Sequence, residues 1–202
     1  MDEHLKKDNE PVRLAVFASG AGSNALKIIQ YFKNNPGISI SLIVCNKQGA
    51  GVLQIAENQG IETLMLEKER FFRGDGFVTD LKERKIDFII LAGFLWKIPV
   101  SLIQAFPSRI INIHPALLPK YGGKGMYGAF VHEAVLNAEE KESGITIHLV
   151  DEQYDHGDHL FQVSIPVLPD DTAESLANRI HNLEHQHYPV QIEKFIKMST
   201  AG

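Results

Sequence analysis

Short apolar runs that alternate with helical patterns are the feature that most restricts the fold of this chain. The apolar runs predict buried strands, and helical spacing of apolar residues separates them; the strands cover residues 14–18, 38–44, 63–66, 88–92 and 110–113. Continuous apolar runs of this length are typical of parallel strands that are covered on both faces. The alternation therefore predicts βαβ units with right-handed crossovers, in a mostly parallel, Rossmann-like twisted α/β sheet with helices on both faces.

The second half of the chain departs from this alternation. Residues 145–150 and 160–165 alternate between apolar and polar side chains, as half-buried strands do. Residues 151–158 between them are too many for a tight hairpin, and we interpret them as a functional loop. Helices are predicted over residues 132–138 and over a final segment that starts near Asp171 or Thr172, reaches residue 197 and kinks near residue 189.

Composition predicts one domain. The chain has 202 residues, of which 44% are hydrophobic and 22% charged, as in ordinary globular proteins. We assign residues 12–202 to the domain and residues 1–11 to a flexible tail, whose charged sequence lacks the apolar core of a signal peptide.

Charge and cysteine content restrict the partners. A formal net charge of −5 argues against a nucleic-acid surface, which normally carries a basic face. No apolar run approaches the roughly 18–20 residues that span a bilayer, so no membrane contact is expected. The single cysteine, Cys45, leaves no internal disulfide and fits a reducing compartment, which predicts a cytoplasmic location.

Two polar side chains stand at the carboxyl end of the fifth predicted strand. Asn112 and His114 alternate along the strand, so they project from the same face. Open α/β sheets bind ligands at the carboxyl ends of their strands. An amide donor beside an imidazole suits a developing oxyanion, since one group can donate to the oxygen and the other can move a proton. A capped turn and a buried core histidine would give the same pattern.

A glycine turn follows the first predicted strand. Gly20-Ala21-Gly22-Ser23-Asn24-Ala25 fits the dinucleotide fingerprint, in the required context of strand, turn and helix. Dinucleotide sites also place an acidic residue at the end of the second strand, about 20 residues on. Residues 44–47 read Val-Cys-Asn-Lys, without a carboxylate. The turn therefore favours a phosphate group at the helix N-terminus, although a turn needed only for packing remains open.

One cluster has the composition of a metal site. His181, Glu184, His185 and His187 are close in sequence, and His181 and His185 share one helix face. The order His-Glu-x-x-His of zinc enzymes is absent, so we favour a solvated or structural helix face and expect no metal.

The residues from Asn112 to Gly123 resemble the signature of a known family. Asn-x-His-Pro-[Ser/Ala]-Leu-Leu-Pro is typical of the formyltransferases that use 10-formyltetrahydrofolate, and the continuation Lys-Tyr-Gly-Gly is most similar to the phosphoribosylglycinamide branch. The resemblance extends from about Arg13 to about Phe195. It implies a formyltransferase fold that transfers formyl from 10-formyltetrahydrofolate, the co-substrate, to the amine of glycinamide ribonucleotide in purine biosynthesis. The implied route is direct attack through a tetrahedral intermediate.

The resemblance also implies a role for individual residues. The catalytic set would be Asn112, His114 and Asp155, the last from the pattern Asp-x-Gly, with Asp151 and Asp158 as the other carboxylates of the loop. A carboxylate beside His114 would favour the imidazolium, so we expect a raised pKa for this histidine.

Binding residues follow from the same resemblance. Two groups are implied for glycinamide ribonucleotide: Gly22, Ser23 and Asn24 for its phosphate, and Glu184 for its amine end. The folate would be held, largely through backbone groups, by Leu95, Trp96, Lys97, Ile98 and Tyr154. Trp96 and Lys97 replace a more familiar Met-Arg pair, which puts side-chain contacts to the folate in question. Residues 125–128 depart from the family pattern, and we assign no role to them.

Three other functions remain open. A methionyl-tRNA formyltransferase would need a further C-terminal tRNA-binding domain, and a formyltetrahydrofolate hydrolase would need a regulatory domain before the first strand; we expect neither. The acidic charge also disfavours tRNA. A non-catalytic nucleotide-binding module is disfavoured by the intact catalytic set. The predicted partners are the two small-molecule substrates, without nucleic acid or membrane, and a homodimer is left open.

Overall fold

A seven-stranded sheet of order β3-β2-β1-β4-β5-β6-β7 forms the centre of the computed structural model, which describes residues 10–200. The strands are β1 (Val12–Ala18), β2 (Ile38–Cys45), β3 (Glu62–Met65), β4 (Phe88–Leu91), β5 (Ile110–His114), β6 (Glu142–Leu149) and β7 (His159–Pro166). The first five strands are parallel, whereas β6 pairs antiparallel with both β5 and β7.

Seven helices connect or follow these strands. They are α1 (Ser23–Phe32), α2 (Gly51–Gln59), α3 (Lys68–Arg73), α4 (Val78–Glu83), α5 (Val100–Ala105), α6 (Ala129–Asn137) and α7 (Ala173–Thr200). The predicted mostly parallel α/β fold is thereby confirmed. Most of the predicted tail, residues 1–9, lies outside the described residues, as do residues 201 and 202.

The two faces of the sheet bury different apolar clusters. In β1, Leu14 and Val16 belong to the cluster beneath α1 and α7, whereas Ala15 and Phe17 belong to the cluster beneath α3, α4 and α5. All four are fully buried. Because successive side chains of a strand point to opposite faces, an apolar run without polar residues requires cover on both sides. The apolar run of residues 14–18 in β1 is explained by this position in the middle layer.

Helix α7 packs on the sheet through buried apolar side chains and is hydrogen-bonded to it by one tyrosine. The hydroxyl of Tyr188, which is fully buried, donates to the carbonyl of Leu91 at 2.8 Å and lies 3.3 Å from the carbonyl of Ile111. These carbonyls belong to β4 and β5. The helix continues through Pro189, which cannot donate to the carbonyl four residues earlier. The end of the helix at Thr200 lies three residues beyond the predicted one.

Helix α3 is the element that sequence analysis missed. Its N-cap is Glu67, whose carboxylate accepts hydrogen bonds from the backbone N–H groups of Glu69 and Arg70. Phe71 is its buried anchor. With six residues, the helix is too short to show a helical period.

The strand order determines where a ligand can bind. From β1 the chain moves to β2 and β3 on one side, and from β4 it moves to β5 on the other side. The crevice at such a reversal, at the carboxyl ends of the strands, is the usual ligand site of open α/β sheets. Within residues 10–200, no helix is long and apolar enough to cross a membrane.

Candidate active site

A cleft of about 780 Å³ opens at the carboxyl ends of β1, β4 and β5. Segments from across the fold line it: the glycine turn after β1, Lys47 after β2, the residues that follow β4, the end of β5, the loops after β5 and β6, His132 of α6 and one face of α7. Every residue that sequence analysis assigned to catalysis or binding lies in its wall, namely Gly22, Ser23, Asn24, Leu95, Trp96, Lys97, Ile98, Asn112, His114, Tyr154, Asp155 and Glu184. The fold thus brings together residues up to 162 positions apart, from Gly22 to Glu184.

Asp155 is the loop carboxylate that reaches the end of β5. Its Oδ1 lies 3.4 Å from the amide nitrogen of Asn112, and its Oδ2 lies 3.6 Å from Nδ1 of His114. Asp151 instead pairs with His156 at 3.0 Å. Of these two carboxylates, Asp155 is therefore the one that contacts Asn112 and faces His114.

Gly157, the glycine of the Asp-x-Gly pattern, is required for a steric reason. A Cβ atom on Gly157 would lie 2.0 Å from the carbonyl oxygen of Leu149, a separation that no side chain could accept. Asp155 itself has a φ of 54°, in the left-handed region that is uncommon for residues other than glycine. The loop must therefore pass close to the end of β6 to present its carboxylate.

His148 is a site residue that sequence analysis missed. In the antiparallel pairing of β5 and β6 it lies opposite Asn112, and it is buried. Its Nδ1 lies 2.7 Å from the carbonyl of Leu149, which fixes the proton on that nitrogen, and its Nε2 accepts from Asn112 Nδ2 at 3.1 Å. Nε2 also lies 3.5 Å from Asp155 Oδ1. The ring therefore orients the amide of Asn112.

The prediction that the pKa of His114 is raised is wrong. Burial lowers the pKa of His114, and this effect exceeds the opposing effects of the Asp155 charge and the Tyr121 carbonyl. Burial also acts to raise the pKa of Asp155, but the nearby His148 and His114 rings and the hydrogen bond from the Gly123 N–H hold it below its ordinary value. At neutral pH the protein therefore holds a neutral imidazole beside a carboxylate.

The turn after β1 requires glycine at one position. Gly22 caps α1 with a φ of 82°, and a Cβ atom there would lie 2.8 Å from Cβ of Val52. Helix α1 begins at Ser23, so its first backbone N–H groups face the cleft side of the turn. Lys47, just past the end of β2, also lines the cleft, in the region where a dinucleotide site would carry its acidic residue.

Glu184 connects α7 to this turn. Its Oε2 accepts a hydrogen bond of 2.8 Å from the amide of Asn24, and His181 Nε2 lies 3.8 Å away. Burial raises the pKa of Glu184, although the Asn24 hydrogen bond and the nearby His181 oppose this effect. Among residues 10–200, no group of three His, Cys, Asp or Glu side chains is arranged to hold a metal ion.

The segment after β4 forms the opposite wall of the cleft. The side chain of Leu95 is 53% exposed, whereas Ile98 is buried. The ring of Trp96 packs at 5.3–5.5 Å from the two phenylalanines of α3, and Lys97 Nζ lies 5.8 Å from the ring centre of Tyr154. Trp96 is therefore anchored in the core, and Lys97 and Tyr154 remain at the cleft rim.

The comparison with protein families decides which family the chain belongs to. The family model described as formyl transferase matches residues 12–192. The chain belongs to the formyl transferase family. The resemblance that residues 112–123 carried is thereby confirmed.

Two relatives of this formyl transferase align with it over most of its length. It is 45% identical over 188 residues to the chloroplastic phosphoribosylglycinamide formyltransferase of Arabidopsis thaliana, covering 89% of this chain and 64% of that relative. The chain thus spans less than two thirds of the plant relative. It is 36% identical over 195 residues to phosphoribosylglycinamide formyltransferase of Bacillus subtilis (strain 168), covering 94% and 97% of the two chains.

A solved structure of the same family has the same fold. The crystal structure of phosphoribosylglycinamide formyltransferase from Brucella melitensis superimposes with a TM-score of 0.82 at 36% identity, covering 92% of this chain and 96% of that one.

His132 is a second histidine of this formyl transferase that sequence analysis missed. It lies on α6 in the wall of the cleft, with 3% of its surface exposed, and its Nδ1 has no hydrogen-bond partner among the described residues. Burial lowers its pKa to about 4, with smaller contributions from the charges of His181 and His114. It is therefore neutral in the folded protein over most of the pH range.

Acid should destabilise the protein through His132. Above the ordinary histidine pKa of about 6.5, the folded and unfolded forms are both neutral. As the pH falls from about 6.5 to about 4, the unfolded chain binds a proton at His132 that the folded protein does not bind. The free energy of unfolding therefore decreases over this range and decreases no further through His132 at lower pH. The lowering of the His132 pKa to about 4 in the folded protein corresponds to about 2–4 kcal/mol of unfolding free energy. Replacing His132 by glutamine should reduce the loss of unfolding free energy between pH 7 and pH 4 by that amount, as measured by urea denaturation.

The exposed His159 provides the control, because His159→Gln should leave this pH dependence as it is in the parent protein. An unchanged pH dependence in His132→Gln would show that this histidine is not the acid-sensitive group.

Proposed function

We propose that this chain transfers the formyl group of 10-formyltetrahydrofolate to the amine of glycinamide ribonucleotide, a step of purine biosynthesis. Family membership and the relatives' names support this activity. The observation that carries the proposal is the meeting of Asn112, His114 and Asp155 in one cleft with the glycine turn. The co-substrate is a formyl-folate, and no metal is required.

The reaction needs an oxyanion donor and a route for one proton. When the amine attacks the formyl carbon, a C–N bond forms and the carbonyl electrons move to oxygen. Asn112 would donate to that oxygen the amide hydrogen that faces Asp155 Oδ1 at 3.4 Å, while its other hydrogen stays on His148. The proton released by the amine passes to the His114–Asp155 pair and then to the folate nitrogen, as the bond between this nitrogen and the formyl carbon breaks. A neutral His114 can accept this proton, which an imidazolium could not.

The glycine turn is proposed to bind the phosphate of glycinamide ribonucleotide through Gly22, Ser23 and Asn24. Free N–H groups and the dipole of α1 favour an anion there. Titration calorimetry should detect glycinamide ribonucleotide binding, and NAD at the same concentration should give no signal. Asn24→Asp should weaken this binding at least about tenfold, since it places a carboxylate against both the phosphate and Glu184. Tight binding of NAD would instead favour a dinucleotide module.

The remaining binding roles are proposals with one geometric condition. Glu184 is proposed to bind the amine end of the substrate, and Leu95, Trp96, Lys97, Ile98 and Tyr154 the folate. Because Glu184 accepts a hydrogen bond from Asn24, a substrate that used both residues would have to bind beside this pair or replace the bond between them. A homodimer and a cytoplasmic location remain predictions.

The direct test is to mix the purified protein with both substrates and to follow formylation of glycinamide ribonucleotide. Transfer that requires both substrates is the expected result. Loss of the formyl group from the folate in the absence of glycinamide ribonucleotide would point to a formyltetrahydrofolate hydrolase. Formylation of charged initiator tRNA would point to a methionyl-tRNA formyltransferase.

A further inference from the structure

The segment Lys120–Gly123 contacts both members of the His114–Asp155 pair through its backbone. The carbonyl oxygen of Tyr121 lies 2.7 Å from Nε2 of His114. Two residues later, the N–H of Gly123 donates to Oδ2 of Asp155 at 2.9 Å. The position of this segment therefore fixes the orientation of the imidazole and the place of the carboxylate that faces it.

The backbone of this segment is not in a relaxed conformation. Tyr121 has a φ of 56°, in the left-handed region that is uncommon for a bulky side chain. Gly122 passes so close to the site that a Cβ atom would lie 2.5 Å from Leu118 Cδ2 and 3.2 Å from Asp155 Cβ. A segment held this way needs an anchor outside the site.

Glu140 is that anchor. Its Oε1 accepts hydrogen bonds from Lys120 Nζ at 2.7 Å and from the Tyr121 hydroxyl at 2.9 Å. These two bonds lower the pKa of Glu140, with the Lys120 contribution the larger, so the carboxylate is charged at neutral pH. Glu140 itself is held just after α6 by a bond from its N–H to the carbonyl of Val135.

We propose that Glu140, outside the cleft, is a positioning residue: it holds Tyr121 so that the Tyr121 carbonyl orients His114 and the amide of Gly123 holds Asp155. The contact chain runs from Glu140 Oε1 to the Tyr121 hydroxyl and from the Tyr121 carbonyl to His114 Nε2. Neither Glu140 nor the Tyr121 side chain needs to touch a substrate. The effect on turnover rests on the proposed function, whereas the effect on His114 does not.

The test compares Glu140→Gln and Tyr121→Phe with Glu139→Gln. Tyr121→Phe keeps the ring and removes only the hydroxyl, and Glu139 is an exposed glutamate next to Glu140. Each of the first two changes should lower kcat about 3- to 10-fold, the effect of a weakened hydrogen bond, with little change in KM. The double variant should be no worse than the worse single variant, because both changes break the same contact.

Titration of the His114 ring by NMR provides a readout that does not need activity. The Tyr121 carbonyl acts to raise the pKa of His114, so loosening this contact should lower that pKa further in both variants and leave it unchanged in Glu139→Gln. A kcat and a His114 pKa equal to those of Glu139→Gln would overturn the proposal, even if the melting temperature fell. If the parent protein transferred no formyl group, the proposed function would fail, and the NMR titration would still decide the role of Glu140.

Discussion

Replacing Asn112 by alanine should lower turnover about 10²–10³-fold, the usual cost of one oxyanion donor. The amide of Asn112 is the side-chain donor at the end of β5, and it is held in place by His148 and Asp155 at 3.1 Å and 3.4 Å. An alanine has no hydrogen to donate to the tetrahedral intermediate. Steady-state kinetics with both substrates would measure the loss, and circular dichroism would show whether the variant is folded.

Asn58→Ala is the matched control for this experiment. Asn58 lies on the exposed face of α2, and its loss should leave turnover within about twofold of the parent, as surface changes do. Near-normal turnover in a folded Asn112→Ala variant would remove Asn112 from the mechanism.

Asp155→Asn should be the other severe change, with a fall in turnover of about 10²–10⁴-fold and little change in substrate affinity. Asparagine keeps the shape of the side chain and removes the charge that faces His114 at 3.6 Å. That charge acts to raise the pKa of His114, so the pH at which the ring gains its proton should fall further in the variant. The pH profile of kcat would show a limb assigned to His114 displaced to lower pH.

Non-additivity tests whether the two residues act together. Asp155→Asn combined with His114→Ala should be scarcely worse than the worse single change, since a proton route fails once either member is lost. Asp151→Asn and Asp158→Asn are the controls within the same loop. Losses that multiply in the double variant, or an inactive control beside an active Asp155→Asn, would contradict the assignment.

The fold could be predicted from sequence because the strands and most of the helices show a pattern of apolar residues with the period of the element. The apolar strands β1 and β4 are buried on both faces, and their sequences show it directly. Helix α3 was not accessible, because it has six residues and depends on a local contact, the Glu67 carboxylate on two backbone N–H groups. The start of α6 at Ala129 lies three residues before the prediction, because its N-cap is Gly128, which has no side chain to signal a helix start.

The site could be predicted from sequence only where its residues lie close together along the chain. Asn112 and His114 lie on one strand, and their shared face follows from alternation. The role of His148 depends on the register of β5 against β6, which hydrophobic alternation alone does not determine. The Asn24–Glu184 contact joins residues 160 positions apart.

The ionisation of His114 illustrates a further limit. Sequence placed a carboxylate near the ring and predicted a raised pKa from this charge. The amount of water removed around the ring depends on every element that covers it, and this burial is the larger effect. A partner residue can be inferred from a motif, whereas desolvation can be judged only from the folded structure.

The hydroxyl of Tyr188 has a consequence for how the last helix can vary in length. Glu184 lies four residues, about one turn, before Tyr188, so both side chains project from the same side of α7. Inserting or deleting one residue between them would rotate Glu184 by about 100° around the helix axis, away from Asn24, while Tyr188 stayed on the strand carbonyls. Residues added after Tyr188 would leave this angular relation intact. The spacing of these two residues is therefore fixed by geometry, and the helix can vary freely in length only beyond Ile196, its last buried residue.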